Sequence, residues 1–550
     1  MSEQTTAELL VRCLEAHEVE FVFGIPGAKI DKVFDALEDS PIRVILCRHE
    51  QNAAFMAAAY GRQTGKPGVV LVTSGPGVAN LATGLLTATT EGDPIVALGG
   101  NVPQNMKFKE SHQNTDNAKL LECVTKSSIE VTAPEVVPES LANAFRLATA
   151  PRAGACFISL PQNIMLADAS HLGSYTAPPI TFGRARSSVL ADASRRLSDA
   201  KSPILLLGEE ASRPENLAAI NSFLEKHPIP AINTYQAAGV ISQENMHCFY
   251  GRAGLFRNQP ADRVLNQSDL VICVGFNPVE YDPEIWNADI SKEILHIDYT
   301  CANVHSQYRP ECELLGEIKT NLGLLTEGTD PVKAPSYPDI QRELFSIVEG
   351  AGNKTGRPGT IHPLRFVHEL SQILDDDTVV CCDIGSVYMW LARYLFSHRP
   401  HQILFSNGQQ TLGVGLPWGM ATKLAYPDKK VISISGDGGF LFSAMELETA
   451  VREGLQFTHI VWRDGSYDMV KEQQVMKYHR EASVELGKVD LRSFAEAFGA
   501  KGFQIDDPEQ ILPTLIEARG VAGPTLINVE IDYSDNQQLF TDAHHEDVGN

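Results

Sequence analysis

The chain has 550 residues, 43% of them hydrophobic and 21% charged, a soluble-globular composition too long for one core and sized for three or four domains. Its formal net charge of -24 and pI near 5.1 exclude nucleic acid and anionic membrane as expected partners, but not an anionic ligand met by local cations and helix N-termini. No apolar run reaches the roughly 18 residues of a membrane span, and Met1–Leu10 carries no secretory pattern, so a cytoplasmic location is expected. An organellar transit peptide removed from a precursor stays open.

The first ~170 residues alternate strand and helix in a pattern that predicts a parallel sheet covered on both faces. Strands are expected at Val19–Phe23, Ile42–Cys47, Gly68–Thr73 and Pro94–Leu98, with helices over Ile30–Leu37, over Asn52–Thr64 and after Gly77 through Thr89. The turns Gly24–Gly27 and Ser74–Gly77, and the pair His49-Glu50, fall at the carboxyl ends of those strands, where such sheets bind ligands. Pro178–Arg186 reads as a linker. A second unit follows with strands Pro203–Leu207, Leu270–Val274 and Glu293–Asp298. Gly328–Gly359, rich in Pro, Gly and Lys with one short helix near Ile340–Val348, is the second connection. The third unit has strands Thr378–Cys382, Val431–Ser435, His459–Trp462 and Thr525–Glu530, and a polar, acidic tail after Tyr533 expected to be partly mobile. The fold class is therefore α/β: three doubly wound parallel-sheet domains at 1–175, 187–328 and 360–550, with 329–359 as linker. No short-period repeat is visible. The ten cysteines form no C-x-x-C and read as small buried hydrophobes rather than a zinc site.

The sharpest signal is Gly436-Asp437-Gly438-Gly439, directly after the apolar run Lys430–Ser435 and before a helix expected to open at Phe440. A second strand delivers Asp464 in Trp462-Arg463-Asp464-Gly465-Ser466. Glycines that let N–H groups approach phosphate, a helix start, and two carboxylates at strand ends suit a diphosphate bridged by Mg²⁺. Glu50, at the junction of a buried strand and a helix, is open to two readings. It can complement the helix dipole, or act as a carboxylate held in a dry cleft against a heterocyclic nitrogen.

Read together, Gly24–Gly27, Arg48-His49-Glu50, Ser74–Gly77 and Gly436–Gly438 with Asp464 beyond resemble the thiamine diphosphate enzymes of the pyruvate oxidase/decarboxylase superfamily. The resemblance covers essentially the whole chain, and is strongest to the catabolic, FAD-independent acetolactate synthases through Phe23–Phe34, Arg48–Ala59, Leu71–Gly77, Glu91–Gly100, Thr234–Gly239, Gly254–Pro260, Ser406–Pro417 and Gly436–Val451. It implies a first domain that binds the aminopyrimidine, a third that binds the diphosphate, and active sites between the first domain of one subunit and the third of its partner in a homodimer or homotetramer. It implies that Glu50 bonds N1′ and favours the imino tautomer that deprotonates thiazolium C2, that the Gln410 carbonyl accepts from the 4′-amino group, and that Leu412 props the cofactor into its V shape. Pro26, Gly27, Ser74, Gly75, Gly77, Gly439 and Tyr467 complete the implied cofactor contacts. Asp437, Asp464 and the Ser466 carbonyl are the implied Mg²⁺ ligands.

For the substrate, small 2-keto acids and pyruvate above all, the resemblance implies Lys29 and Gln113 in the pocket, and Gln473, on the segment after the metal site, is a candidate third contact; His49 and His112 read as structural or supporting rather than catalytic, with an orienting role open to His49 beside Glu50. The implied reaction decarboxylates pyruvate and joins the cofactor-bound hydroxyethyl enamine to a second pyruvate, giving 2-acetolactate and CO₂. The alternative is a 2-keto acid decarboxylase, or a carboligase with another acceptor. A non-catalytic assembly subunit should have lost Glu50 or a metal ligand, and this chain keeps them. Departures from the family pattern at Val78-Ala79, Asn114-Thr115, Tyr388-Met389 and Arg463 bear on the acceptor rather than on the cofactor chemistry. The middle segment Gly275–Asp282 lacks the basic and paired acidic residues of the flavin-binding branch, so no FAD is expected.

Overall fold

The protein is described by a computed structural model covering residues 4–257, 259–397 and 399–541. Its first sheet contains β1 (Phe21–Ile25), β2 (Arg43–Leu46), β3 (Gly68–Val72), β4 (Ile95–Asn101), β5 (Ser127–Glu130) and β6 (Ala155–Pro161), in the order β2-β1-β3-β4-β6-β5. The second contains β7 (Pro203–Leu207), β8 (Ala231–Asn233), β9 (Phe249–Arg252), β10 (Leu270–Val274), β11 (Glu293–Asp298) and β12 (Cys312–Leu315), in the order β12-β11-β10-β7-β8-β9. The third contains β13 (Thr378–Cys382), β14 (Ile403–Leu404), β15 (Lys430–Gly436), β16 (Thr458–Arg463), β17 (Lys501–Ile505) and β18 (Thr525–Glu530), in the order β14-β13-β15-β16-β18-β17.

The central pairings are parallel, as apolar runs buried on both faces require. The first and third sheets share one strand order, so the molecule contains a duplication of topology that no sequence period announces. In both, chain order reverses between the first and third strands of the sheet. The carboxyl ends of β1 and β3, and of β13 and β15, therefore flank equivalent crevices.

Seven strands, β5, β6, β8, β9, β12, β14 and β17, escape the sequence reading; β5, β14 and β17 are short or only half apolar, whereas β6 is fully buried. Two expectations are corrected. The helix after β15 opens at Asp437, not Phe440, breaks at Ala444-Met445, and resumes over Glu446–Arg452. Its glycines lie inside the first turn and serve close packing: a Cβ on Gly438 would sit 2.6 Å from the Tyr467 ring. The segment after Tyr533 is not a free tail as far as Thr541. Asn536–Thr541 is helical, Leu539 and Phe540 join the third unit's core, and the buried Asn536 accepts from Trp390 Nε1 at 2.7 Å. Residues 542–550 lie outside the described residues. Eight of the ten cysteines are buried; Cys123 and Cys301 are exposed.

The first and third units share one hydrophobic core. The helix Glu50–Thr64 has a run of fully buried residues, Ala53 through Ala59, and packs against Trp418, Met420 and Ala421 of the helix Gly415–Ala425. A helix apolar on all sides must be covered on all sides, and small residues make that possible. At its back, Gly68 of β3 lets the sheet approach so closely that a Cβ there would lie 2.1 Å from the Ala57 carbonyl oxygen. Gly68→Ala should destabilise the fold by about 1–3 kcal/mol through overpacking. A fall in the denaturant midpoint measures it, and an unchanged midpoint would show that the helix can shift freely.

Candidate active site

At the reversal point of the third sheet lies a cavity of about 320 Å³. Its floor is the β15 loop Gly436–Gly439, one wall is Ile384–Ser386 after β13, and the other is Asp464 and Ser466–Val470 after β16, with Gln410, Leu412, Gln473 and Tyr533 at the rim. Gly436 is extended (ψ 163°) and the chain turns helical at Asp437, which brings main-chain N–H groups to the floor. Gly439 packs on Asp383, where an added Cβ would come within 3.1 Å of the carboxylate.

Three carboxylates border this cavity. Asp437 accepts from the N–H groups of Gly438 (3.0 Å) and Gly465 (2.9 Å), so it ties the β15 loop to the β16 loop. Asp464 accepts from the Ser466 hydroxyl. Asp468 accepts from Ser386 Oγ and Asn536 Nδ2. Burial raises all three above the ordinary carboxylate range, and Asp464 is pushed up to about 7 with Asp468 and Asp437 adding like-charge repulsion. Clustered acids of this kind favour a counter-cation. Among the described residues no three His, Cys, Asp or Glu side chains converge as a complete metal set, so a cation here would draw on main-chain and ligand oxygens too. The Ser466 carbonyl is placed where it could serve as one. Ser466 bridges Glu485 through bonds made by its neighbours, Tyr467 N to Val484 O and Leu486 N to Gly465 O, which leaves its own carbonyl facing away from that strand.

The other expected residues gather at the equivalent crevice of the first sheet. Glu50 opens its helix at 9% exposure, capped by His49, whose Nδ1 accepts from Gln51 N–H at 3.1 Å. Asn80 Nδ2 donates to Glu50 Oε2 at 2.8 Å, and Glu50 Oε1 lies against Gly77. Ser74 Oγ donates to Gln113 Oε1 at 3.1 Å, and Gln113, with φ +58°, packs its side chain on Gly75. Gly27 packs on Thr73, which closes the Pro26–Lys29 turn onto the β3 loop. His49 is thus a helix cap, and His112 is exposed.

The chain therefore assembles two groups and keeps them apart. Gln410, Leu412, Gly436–Gly439, Asp464, Ser466, Tyr467 and Gln473 line one cavity, and no first-unit residue lines it. Sequence reasoning missed Asn80, Asp383 and Asp468. Asp383 had a readable signal, an Asp-Ile-Gly turn at the carboxyl end of a buried strand. It accepts from Ile384 N (2.8 Å), Gly413 N (3.0 Å) and Gly415 N (3.2 Å), and so anchors the segment that carries Leu412.

Comparison with known proteins gives the family of the chain. Residues 4–120 match the N-terminal TPP binding domain of thiamine pyrophosphate enzymes, 190–325 the central domain, and 383–529 the C-terminal TPP binding domain. The chain is 46% identical to the acetolactate synthase of Bacillus subtilis, over 99% of this chain and 96% of that protein. It is also 46% identical to the catabolic acetolactate synthase of Raoultella terrigena, over 98% and 97% respectively. Identity to the large subunit of acetolactate synthase isozyme 2 of Escherichia coli is 30%, over 96% of each chain. The chain belongs to the thiamine pyrophosphate enzyme family, and its cofactor is thiamine diphosphate.

Gly438→Ala should weaken thiamine diphosphate binding about tenfold or more, because the added methyl must displace the Tyr467 ring, which lines the cavity. Fluorescence titration measures this, and native affinity would remove the Gly436–Gly439 loop from the binding site.

Proposed function

We propose that the chain is a thiamine diphosphate- and Mg²⁺-dependent acetolactate synthase that converts two pyruvate and one proton into 2-acetolactate and CO₂. The observation that carries this reading is the pair of half-sites at matching crevices. One is rich in carboxylate and glycine. The other holds a nearly buried glutamate beside a small-residue turn. The names of the full-length relatives support the same reading.

The cofactor, when bound, supplies the electron sink that a 2-keto acid needs in order to lose CO₂ and attack a second carbonyl. The chain's own residues do the rest. Asp437, Asp464 and the Ser466 carbonyl would hold Mg²⁺, which offsets the repulsion among the buried acids, while the main chain of Gly436–Gly439 meets the diphosphate. Gln410, held at φ +48°, and Leu412 would set the shape of the bound cofactor. Glu50 would hold a proton at the pyrimidine nitrogen: Asn80 occupies its Oε2 and leaves Oε1 on the Gly77 side for the ring. Lys29, Gln113 and Gln473 are the donors for the substrate carboxylate.

Because the half-sites lie apart in one chain, a working site takes the first unit of one copy and the third unit of another. The enzyme is then an obligate homodimer or a homotetramer. Leu441, Phe442 and Met445, apolar yet exposed next to the Gly436–Gly439 floor, suit that contact. No described helix is long and apolar enough to cross a membrane, and we assign the protein to the cytoplasm. We also hold it to be flavin-free. The crevice of the middle sheet is closed on itself: a Cβ on Gly208 would lie 2.4 Å from Phe276 Cα, and Glu280 accepts from Glu209 N, Asn277 N and Thr234 Oγ1. A flavin spectrum in purified protein would reject that assignment.

The reaction is tested with pyruvate, thiamine diphosphate and Mg²⁺, detecting acetolactate and acetaldehyde separately; acetaldehyde alone would favour a simple decarboxylase. Glu50→Gln should lower kcat about 100-fold or more with the fold intact, and unchanged turnover would overturn its role. Since burial and neighbouring acids raise Asp464 to about 7, a proton competes with the cation there, and half the sites are protonated near that pH. Mg²⁺-dependent cofactor binding should therefore strengthen about tenfold from pH 6 to pH 8, and Asp464→Asn should flatten that profile.

A further inference from the structure

We propose that Glu91 and Glu446 are a reciprocal pair of positioning residues, each reaching across the contact between the first and third units of one chain to fix the segment that carries the other unit's cofactor residues. Glu91 belongs to the first unit, at the end of the helix Ala82–Glu91, and is fully buried. Its carboxylate accepts from Ser406 Oγ (2.8 Å), Asn407 N (3.0 Å), Gly408 N (2.8 Å) and Gln236 Nε2 (2.7 Å). Those main-chain donors immediately precede Gln410 and Leu412. One turn earlier on the same helix, Thr87 Oγ1 lies 2.7 Å from Thr411 Oγ1, between those two residues. The far end of the segment is held by Asp383 at Gly413 and Gly415. A loop with a left-handed residue at Gln410 is thus pinned before, within and after its functional stretch.

Glu446 makes the opposite crossing. It belongs to the third unit, at the start of the helix after the Gly436–Gly439 loop, and is fully buried. It accepts from Arg48 N (2.9 Å), His49 N (3.1 Å) and Asn52 Nδ2 (3.1 Å), and so brackets Glu50, with Thr449 Oγ1 at 2.8 Å bracing its other oxygen. Both clamps need an acceptor-only group, because every partner donates. A glutamine of the same shape would turn an N–H₂ toward an N–H. Neither glutamate touches the cavity, so each acts through the segment it holds.

The consequence is an asymmetry in function. Glu91 holds residues of the third-unit cavity, so its loss should appear in cofactor affinity. Glu446 holds the segment around Glu50, so its loss should appear in turnover. The assignment rests on the roles proposed above for Glu50, Gln410 and Leu412.

The test uses the full-length protein and its Glu91→Gln, Glu446→Gln and Glu50→Gln variants, with thiamine diphosphate plus Mg²⁺ as the binding probe and pyruvate turnover as the second readout. Glu91→Gln should raise the cofactor dissociation constant about tenfold or more, the scale of losing hydrogen bonds to a charged group. Glu446→Gln should leave that constant within about twofold and lower kcat about tenfold or more. Should Glu91→Gln fail to fold, Ser406→Ala removes one donor to the same carboxylate and should weaken cofactor binding about threefold to tenfold. Native affinity in Glu91→Gln or Ser406→Ala, native kcat in Glu446→Gln, or the same loss of both quantities in both glutamine variants would overturn the proposal. A Glu50→Gln enzyme that turns over normally while the affinity split persists would instead reject the role of Glu50 and leave the Glu91 clamp standing.

Discussion

The rest of the structure depends on the burial of the helix Glu50–Thr64 between the first and third units. Its alanine-rich middle has no exposed face, so it cannot be stable unless both the first sheet and the helix Gly415–Ala425 lie against it. That shared core makes the two units one folding body, although 190–325 separates their family segments in the chain. It also places the helix N-terminus, and with it Glu50, at a fixed distance from the third unit. Arg62 near the other end strengthens the union: it pairs with the buried Asp93 at 2.6 Å, donates to the Phe405 carbonyl, and stacks over Trp418. Burial raises Asp93 to about 6, while the Arg62 guanidinium opposes that shift. A pair of this kind is costly to bury and is retained where it fixes geometry, here the register of one unit on the other.

The repeated strand order gives the first and third units matching crevices, which is what the proposed two-part site builds on. Each of the two sheets offers one crevice where its chain order reverses, and loops after adjacent strands diverge there. One copy of the crevice carries the glycine-and-carboxylate loops and the other carries Glu50, Ser74 and Gln113. The middle sheet has its own crevice between β7 and β10, but Phe276 and Glu280 occupy it. Of the three parallel sheets, the third thus opens a cavity at its reversal point, while the middle one fills its own with side chains.

Much of this was legible from residue order, and what was not has physical reasons. Central strands such as Pro203–Leu207, Leu270–Val274 and Thr525–Glu530 were readable to the residue, because burial on both faces leaves an uninterrupted apolar run. Edge strands were read less evenly: β2 was found, whereas β17 buries only Gly502 and Ile505 and β14 is two residues long, and the fully buried β6 was missed as well. The helix start at Asp437 was misplaced because glycine signals a turn, whereas here it permits contact with Tyr467 and Asp383. The helix Asn536–Thr541 was missed because two apolar residues in a polar stretch give no period, while Asn536 earns its place through long-range bonds to Trp390 and Asp468. Glu50, Asp437 and Asp464 stand out as candidates in the sequence because each lies at a turn after a strand. Asn80, Glu91 and Glu446 act on segments far away in sequence, which no short motif can display.

The buried acids divide by where their acceptor capacity goes, and that division separates scaffold from site. Glu91 and Glu446 spend theirs on main-chain and side-chain donors of the protein itself, four or more apiece, and need nothing further. Asp383 is satisfied in the same way by three main-chain N–H groups, which oppose the effect of its burial. Asp464 is different: its donor is the adjacent Ser466, and its neighbours Asp437 and Asp468 are acids. A carboxylate left so short of positive partners in a buried crevice is stable as an anion only when something cationic joins it. Burial and acidic neighbours thus hold Asp464 toward its neutral form at this crevice, in contrast to the hydrogen-bonded Glu91, Glu446 and Asp383 at the joints around it.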